Sequence, residues 1–438
     1  MAFIDPPTTV TTPADHAEPS TVFPWITGAL MAGVLVVPGA YSLLTLWLAL
    51  YGLWHVRGMS ERVWQPLRAA GGRPIVWGMS TFTVLGVCMI LGHGDKASSY
   101  EAFVPMLLAP LMVNAIVVAR PPAAMLWLGS AAGASLAGLV ACYQTFYLQI
   151  GRAGGAMSNI IIFGDLSVAL AMFAGFGSLF WLQATQQLRL RLILMGAAAL
   201  GMLASLLSGT KGGWLSILML LVIWAWLALA HAHWTRRLAL SAALLAAVVM
   251  VSLLLPAELV TGRIADALAG GYTWFSTGKV TDGSVSIRLE KWYQAVGMIA
   301  DRPWTGWGKD DAIAELGRRL SAAGVAGHWT QTENDLLQGG INHGVLGVVT
   351  RLSLYLGFIA GFLCIRRAFA GSPLTQGLAT LGMMLSVLML EFGLSIVVLG
   401  RNSFRHFLIT WSMLCVGFLI LAYLDRQRAS AAAERPTP

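Results

Sequence analysis

The amino-acid sequence predicts an all-α polytopic membrane protein, with about twelve transmembrane helices and one large helical loop region on the outer, periplasm-like face. Three observations lead there. The chain is 57% hydrophobic and only 11% charged, whereas soluble domains carry about 25% charged residues. Apolar runs of the roughly 20 residues needed to cross a bilayer recur along the chain. The basic residues between those runs alternate in number, as the positive-inside rule requires.

Taken in order, residues 1–22 are rich in Pro, Thr and Ala. They lack the basic start and apolar centre of a cleaved signal peptide, and read as a disordered cytoplasmic tail. Residues 425–438 read the same way. Residues 24–55 form one apolar stretch broken at Pro38-Gly39, so two short helices joined by a tight turn are expected. Further runs lie at 74–92, 100–119, 122–146, 159–182, 192–208, 213–230, 238–255, 343–365, 374–398 and 404–424, giving twelve spans.

With the N-terminus in the cytoplasm, Arg57, Arg62, Arg68, Arg73, Arg120, Arg189, Arg191, Arg236, Arg237, Arg366, Arg367, Arg426, Arg428 and Arg435 fall inside. Lys96, Arg152, Lys211, Arg401 and Arg405 fall outside. Fourteen cations against five satisfy the rule. Merging the first two helices would invert every later loop. The expected organisation is helices 1–9 within residues 23–255, a periplasmic helical region at 256–342, and helices 10–12 within 343–424. Both termini are then cytoplasmic. The net charge of +8 belongs to this topology, so it does not argue for nucleic acid. Cys88, Cys142, Cys364 and Cys415 all lie in apolar runs and read as small core residues, with no disulfide framework.

The outer stretch concentrates the polar chemistry. Ten of the 20 acidic residues fall between Glu258 and Asp335. Apolar residues at three- and four-residue spacing predict helices at 285–300 and 310–323. Pro303-Trp304-Thr305-Gly306-Trp307-Gly308 makes a turn between them, with two indoles suited to a membrane interface or a sugar face.

Arg288, on the first of these helices, is a planar fork suited to phosphate or pyrophosphate, or alternatively an exposed partner of Glu290. Lys211 stands among glycines between two apolar helices, where backbone can approach a phosphate closely. The other reading is an ordinary loop lysine. Arg152, in a second glycine-rich loop, is a further phosphate contact. Glu333 and Asn334 precede an apolar helix. A carboxylate there suits a general base, while the bland reading is a helix-terminus acid with Thr332 or Asn334 as cap. His343 and His328 are nearby imidazoles, each with a structural alternative. Asp165 and Glu391 fall within spans, where acids mark function or lock helices together. There is no Walker loop, no dinucleotide fingerprint and no metal-ligand spacing, so no metal and no cofactor are expected. A donor must then arrive already activated, and on this face of a bacterial inner membrane a lipid pyrophosphate is the usual one.

These features resemble the O-antigen ligase family, the group that includes related O-antigen polymerases and O-linked oligosaccharyltransferases. The resemblance rests on the span count, the late outer region, and several short motifs. Arg288 precedes Trp292, and residues 303–308 supply a Pro-x-x-Gly-x-Gly turn. Glu333-Asn334 is followed by nine residues and then Gly344-Val345-Leu346-Gly347. Lys211-Gly212 stands where the family has a basic residue before glycine, and Arg152-Ala153-Gly154 fits the family's earlier loop. The family's histidine is Glu333 in this chain. The resemblance implies transfer of a glycan from undecaprenyl pyrophosphate to a sugar hydroxyl of lipid A–core. It gives Arg288 and Lys211 to the pyrophosphate, with Arg152 in support. Glu333 serves as base, with His343 as its alternative. Asn334, Trp292, His328 and Asp165 become substrate contacts. A polysaccharide polymerase and a protein O-oligosaccharyltransferase share this chemistry. An anion or polysaccharide transporter is the alternative of another class, with Asp165 and Glu391 as a relay.

Overall fold

The computed structural model describes residues 21–180, 187–230, 232–254, 261–281, 284–325, 327, 329–369 and 372–433. Among them the protein is all helical. The first helices are α1 (Val22–Gly33), α2 (Ala40–Trp54), α3 (Gln65–Ala69), α4 (Arg73–His93), α5 (Val104–Ala119), α6 (Ala124–Cys142), α7 (Ile160–Phe180) and α8 (Leu188–Ser208). There follow α9 (Lys211–Ala228), α10 (Trp234–Leu254), α11 (Thr261–Thr277), α12 (Ser284–Asp301), α13 (Lys309–Ala322), α14 (Asp335–Ala368), α15 (Pro373–Phe392) and α16 (Asn402–Ala433). Ten described helices are long and apolar enough to cross a membrane, and α1 and α2 are shorter apolar helices. They meet at the break expected from Pro38-Gly39, where Gly39 takes a left-handed φ of 74°.

The bundle is built around α7 and α16. Every α7 residue from Ile162 to Leu179 is buried, as is every α16 residue from Phe407 to Leu421. Such helices are apolar all round because they face protein on every side. At the other extreme α10 buries only Ser241 and, among the described residues, packs chiefly on α9, which suits a helix facing lipid.

Helices α11, α12 and α13 lie together as a cap on one end of the bundle. Ala295, Met298, Ala312, Leu316, Leu320 and Ile341 form its small core. The loops holding Lys96, Arg152, Lys211 and Arg401 lie on this cap face: Lys96 pairs with Asp310 at 2.9 Å, and Arg401 shares a cavity with Lys309. Arg120, Asp425 and Arg426 lie at the opposite end, where Arg120 pairs with Asp425.

The structure departs from the sequence reading in three places. The cap contains a third helix, α11, whose Gly270-Gly271 pair and threonines weaken any helical signal. Helix α14 starts at Asp335, well before residue 343. Helix α16 continues through Ala433, into the stretch read as a tail. His328 lies outside the described residues.

Helix α14 is broken at His343 (φ −137°, ψ 21°) and Gly344 (φ 64°, ψ −154°). The 303–308 turn fills the break. Trp307 N–H donates to the Ile341 carbonyl at 2.9 Å, Gly308 N–H to the Asn342 carbonyl at 2.9 Å, and Val345 N–H to the Pro303 carbonyl at 2.7 Å. Backbone groups freed by the kink are thus satisfied by the turn. The Gly344 conformation belongs to a region essentially reserved for glycine. A Cβ there would also stand 2.7 Å from the Trp304 carbonyl carbon. Gly344→Ala is therefore expected to destabilise the protein by roughly 3 kcal/mol. Thermal unfolding in detergent checks this, and an unchanged midpoint would show that the turn does not hold the break.

Candidate active site

The cationic site grows from the end of α8. Ser208 ends the helix, and Gly209 turns the chain with a φ of 65°. The carbonyls left open at a helix C-terminus need donors. Here the loop after α6 supplies them. Ala153 N–H donates to the Leu207 carbonyl at 3.1 Å, and Arg152 donates through Nε to Ser208 O at 2.8 Å and through Nη2 to Gly209 O at 3.3 Å. Gln144 holds that loop by accepting the N–H groups of Gly154 and Gly155, each at 3.0 Å. Arg152 is thus fixed in place, and its charge complements the negative end of the helix dipole.

Lys211 opens α9 immediately after this turn. Arg263 of α11 approaches from the cap, its Nε 3.3 Å from where a Cβ on Gly209 would stand. Arg288 of α12 lies within electrostatic reach of Arg152, Lys211 and Lys291. Burial, then the neighbouring Arg263 and Arg288 guanidiniums, push the pKa of Arg152 down to about 10. Among the described residues no ion pair joins Lys211, Arg263 or Arg288 to a carboxylate. Glu290, a possible partner of Arg288, is engaged elsewhere: Trp274 Nε1 and Gln294 Nε2 donate to it at 2.9 and 2.8 Å. A cavity of about 520 Å³ lined by Lys211, Arg263, Asp266 and Thr273 adjoins the cluster. Convergent cations around such a space, with Asp266 as the one acidic residue lining it among the described residues, favour a multivalent anion.

Under the cluster, Asp165 is fully buried against the first turn of α9. Its Oδ1 is 3.5 and 3.4 Å from where Cβ atoms on Gly212 and Gly213 would stand. Neither carboxylate oxygen has a hydrogen-bond partner among the described residues. Glu391, at the end of α15, accepts the Ser216 hydroxyl of α9.

Glu333 stands just before α14 with a left-handed φ of 57°, which is unusual for a side chain of this size. Its Oε1 is 3.9 Å from Lys291 Nζ and accepts from Gln331 Nε2 at 3.3 Å. Lys291 follows Arg288 by one turn of α12, so the helix carries the clamp and the carboxylate's partner on one face. The ammonium is buried and stands 4.2 Å above the Trp329 ring. Burial lowers the Lys291 pKa most, and Arg288 adds to this while Glu333 opposes it.

The structure thus brings together Arg152, Lys211 and Arg288 from the sequence reading, with Asp165 beneath them. Trp292 stands one turn from Arg288, its indole N–H buried without a partner among the described residues. Asn334 is the N-cap of α14, its side-chain oxygen accepting Leu337 N–H at 3.0 Å. His343 is not brought to the cluster. Its Nε2 lies 3.5 Å from Asp95 Oδ2, and its ring packs 5.5 Å from that of His93. Sequence reasoning missed Arg263 and Lys291. The second was findable as the cation one helical turn after Arg288.

A search of curated proteins finds no match to the chain. Residues 196–351 match the family model described as O-antigen ligase. That match spans Lys211, Arg263, Arg288, Lys291 and Glu333, while Arg152 and Asp165 come from earlier in the chain. The motifs read in the sequence point to the same family, and residues 196–351 of this polytopic membrane protein are similar to it.

Proposed function

We propose that the chain is an inverting, metal-independent glycosyltransferase. It would move a glycan from undecaprenyl pyrophosphate to a sugar hydroxyl of lipid A–core, on the periplasmic face of a bacterial inner membrane. The observation that supports this reading best is the group of cations around Gly209, with Arg152 held on the α8 carbonyls and Lys211, Arg263 and Arg288 free of carboxylate partners.

In the proposed reaction the acceptor hydroxyl oxygen attacks the anomeric carbon of the donor sugar. The new C–O bond forms as the bond to the pyrophosphate oxygen breaks, with inversion at that carbon. The hydroxyl proton passes to Glu333. The leaving pyrophosphate keeps the bonding electron pair, and Arg288, Lys211 and Arg263 stabilise the charge that grows on it. Lys291 holds the Glu333 carboxylate and limits the freedom of its side chain.

The test is a purified two-substrate assay. Labelled glycan on undecaprenyl pyrophosphate is mixed with the protein and lipid A–core, with a chelator and without nucleotide. Label on lipid A–core is the expected product. Lengthened glycan still on the carrier would make the protein a polymerase. Glycan flux into liposomes without a covalent product would make it a carrier.

A further inference from the structure

The cap face holds a second cavity, of about 530 Å³, which the donor clamp does not use. Its volume lies within the usual range of ligand pockets. Arg351 of α14, Arg405 of α16 and Arg401, just before α16, all line it. The Nε of each is buried without a hydrogen-bond partner among the described residues. A buried guanidinium N–H left unpaired is costly, so the Nε groups of Arg401 and Arg405, which also face no carboxylate within 4 Å among the described residues, call for an anionic or strongly accepting ligand.

The terminal nitrogens differ in their engagement. Arg405 donates to the Leu399 carbonyl at 2.7 Å and to the Asn402 side chain. Arg351 donates through Nη1 to the Gly347 carbonyl at 3.1 Å, while its Nε faces the Asp335 carboxylate at 3.8 Å. Among the described residues the Arg401 side chain makes no hydrogen bond or ion pair. Two carboxylates line the same cavity, Asp95 and Glu101. Asp95 is turned to His343 and to the Lys309 N–H at 3.1 Å, and Lys309 itself adds a further cation. The cavity therefore stays cationic.

The position of Arg401 is built. Fully buried Asp335 accepts Leu399 N–H at 3.0 Å, and its own N–H donates to the Gly393 carbonyl at 2.7 Å. Both ends of the loop before Arg401 are thus tied to the start of α14. Gln331 joins this cavity to the proposed base: it lines the cavity and donates to Glu333 at 3.3 Å.

We infer that this cavity is the acceptor subsite, and that it recognises a sugar chain carrying an anionic substituent, a phosphate or a carboxylate. Arg401 and Arg405 take the anion, and the neutral amides of Gln338 and Asn342 suit sugar hydroxyls. An acceptor so held presents a hydroxyl toward Gln331 and Glu333. The inference rests on the transferase reading and adds the chemical class of acceptor to it.

The test compares Arg401→Gln with the parent protein in the two-substrate assay and in donor binding alone. Loss of a charge-assisted contact should raise the KM for acceptor about tenfold, with kcat changed little and donor affinity unchanged. Arg401→Lys should recover part of the loss. Phosphatase treatment of the acceptor should cost the parent the same factor and the variant nothing further. If the anion is a carboxylate, carboxyl reduction of the acceptor has that effect instead. An unchanged acceptor KM, or weakened donor binding, overturns the inference. If the parent transfers glycan to no acceptor, the transferase reading fails. Equilibrium binding of the phosphorylated or carboxylated glycan alone then decides the subsite, and equal affinity for parent and Arg401→Gln overturns it.

Discussion

Arg288→Ala is expected to lower kcat by about two to three orders of magnitude, comparable to removing one oxyanion-hole donor. The guanidinium offers a planar fork that a flexible ammonium does not reproduce, so Arg288→Lys should recover only a fraction. An opposite effect is expected on stability. Among the described residues Arg288 makes no close ion pair; it stands near Arg152, Lys211 and Lys291, with buried Asp165 as a more distant counter-charge. Removing one of several mutually repelling cations should leave the thermal midpoint unchanged or slightly raised. Turnover and thermal unfolding of the same purified variant check both parts. A variant that keeps full activity removes Arg288 from the clamp. One that loses activity and stability together makes it a structural residue.

Glu333→Gln should cost about two to four orders of magnitude in kcat, the usual contribution of a general base. Glutamine keeps the shape and the ability to accept from Gln331, but not the basicity. A second effect must be separated from this one. The variant also leaves the Lys291 ammonium buried without its counter-charge, which is destabilising. The double variant Glu333→Gln with Lys291→Met separates the two. If Glu333 only compensates Lys291, removing both should restore stability and turnover. If it takes the proton, stability returns and turnover does not. Full activity of Glu333→Gln alone would dismiss the carboxylate as base.

The alternation of helices between two faces was legible in the sequence because hydropathy and charge act over whole segments. The lysines and arginines placed together on the outer side do gather on the cap face. Arg288 and Lys211 were both picked out in the sequence, the first on an amphipathic outer helix and the second among glycines between two apolar runs, and the family resemblance paired them. The rest depended on three-dimensional approach. Arg263 comes from α11, whose Gly270-Gly271 pair hides its helical character. Lys291 looks like a solvated helix residue until Trp329 and Glu333 are folded against it. His343 shows the reverse error. Ten positions from Glu333 is close in sequence, but the intervening stretch from Asp335 to Asn342 is helical. At about 1.5 Å per residue it carries His343 roughly 12 Å farther along, into the other cavity. The fully paired Asp335 was overlooked between two more conspicuous neighbours.

The cationic cluster has a mechanical side. Arg152 and Lys211 belong to the bundle, while Arg263 and Arg288 belong to the cap. Like charges facing one another across that seam act as a compressed spring, and under the proposed function a bound pyrophosphate would be the catch that holds it shut. Added salt should then have opposite effects on the two states. Screening, with a reach of about 8 Å at physiological ionic strength, relaxes the spring in the empty protein and loosens the catch in the loaded one. The departing lipid pyrophosphate would leave behind a seam that tends to part, readying the enzyme for its next donor.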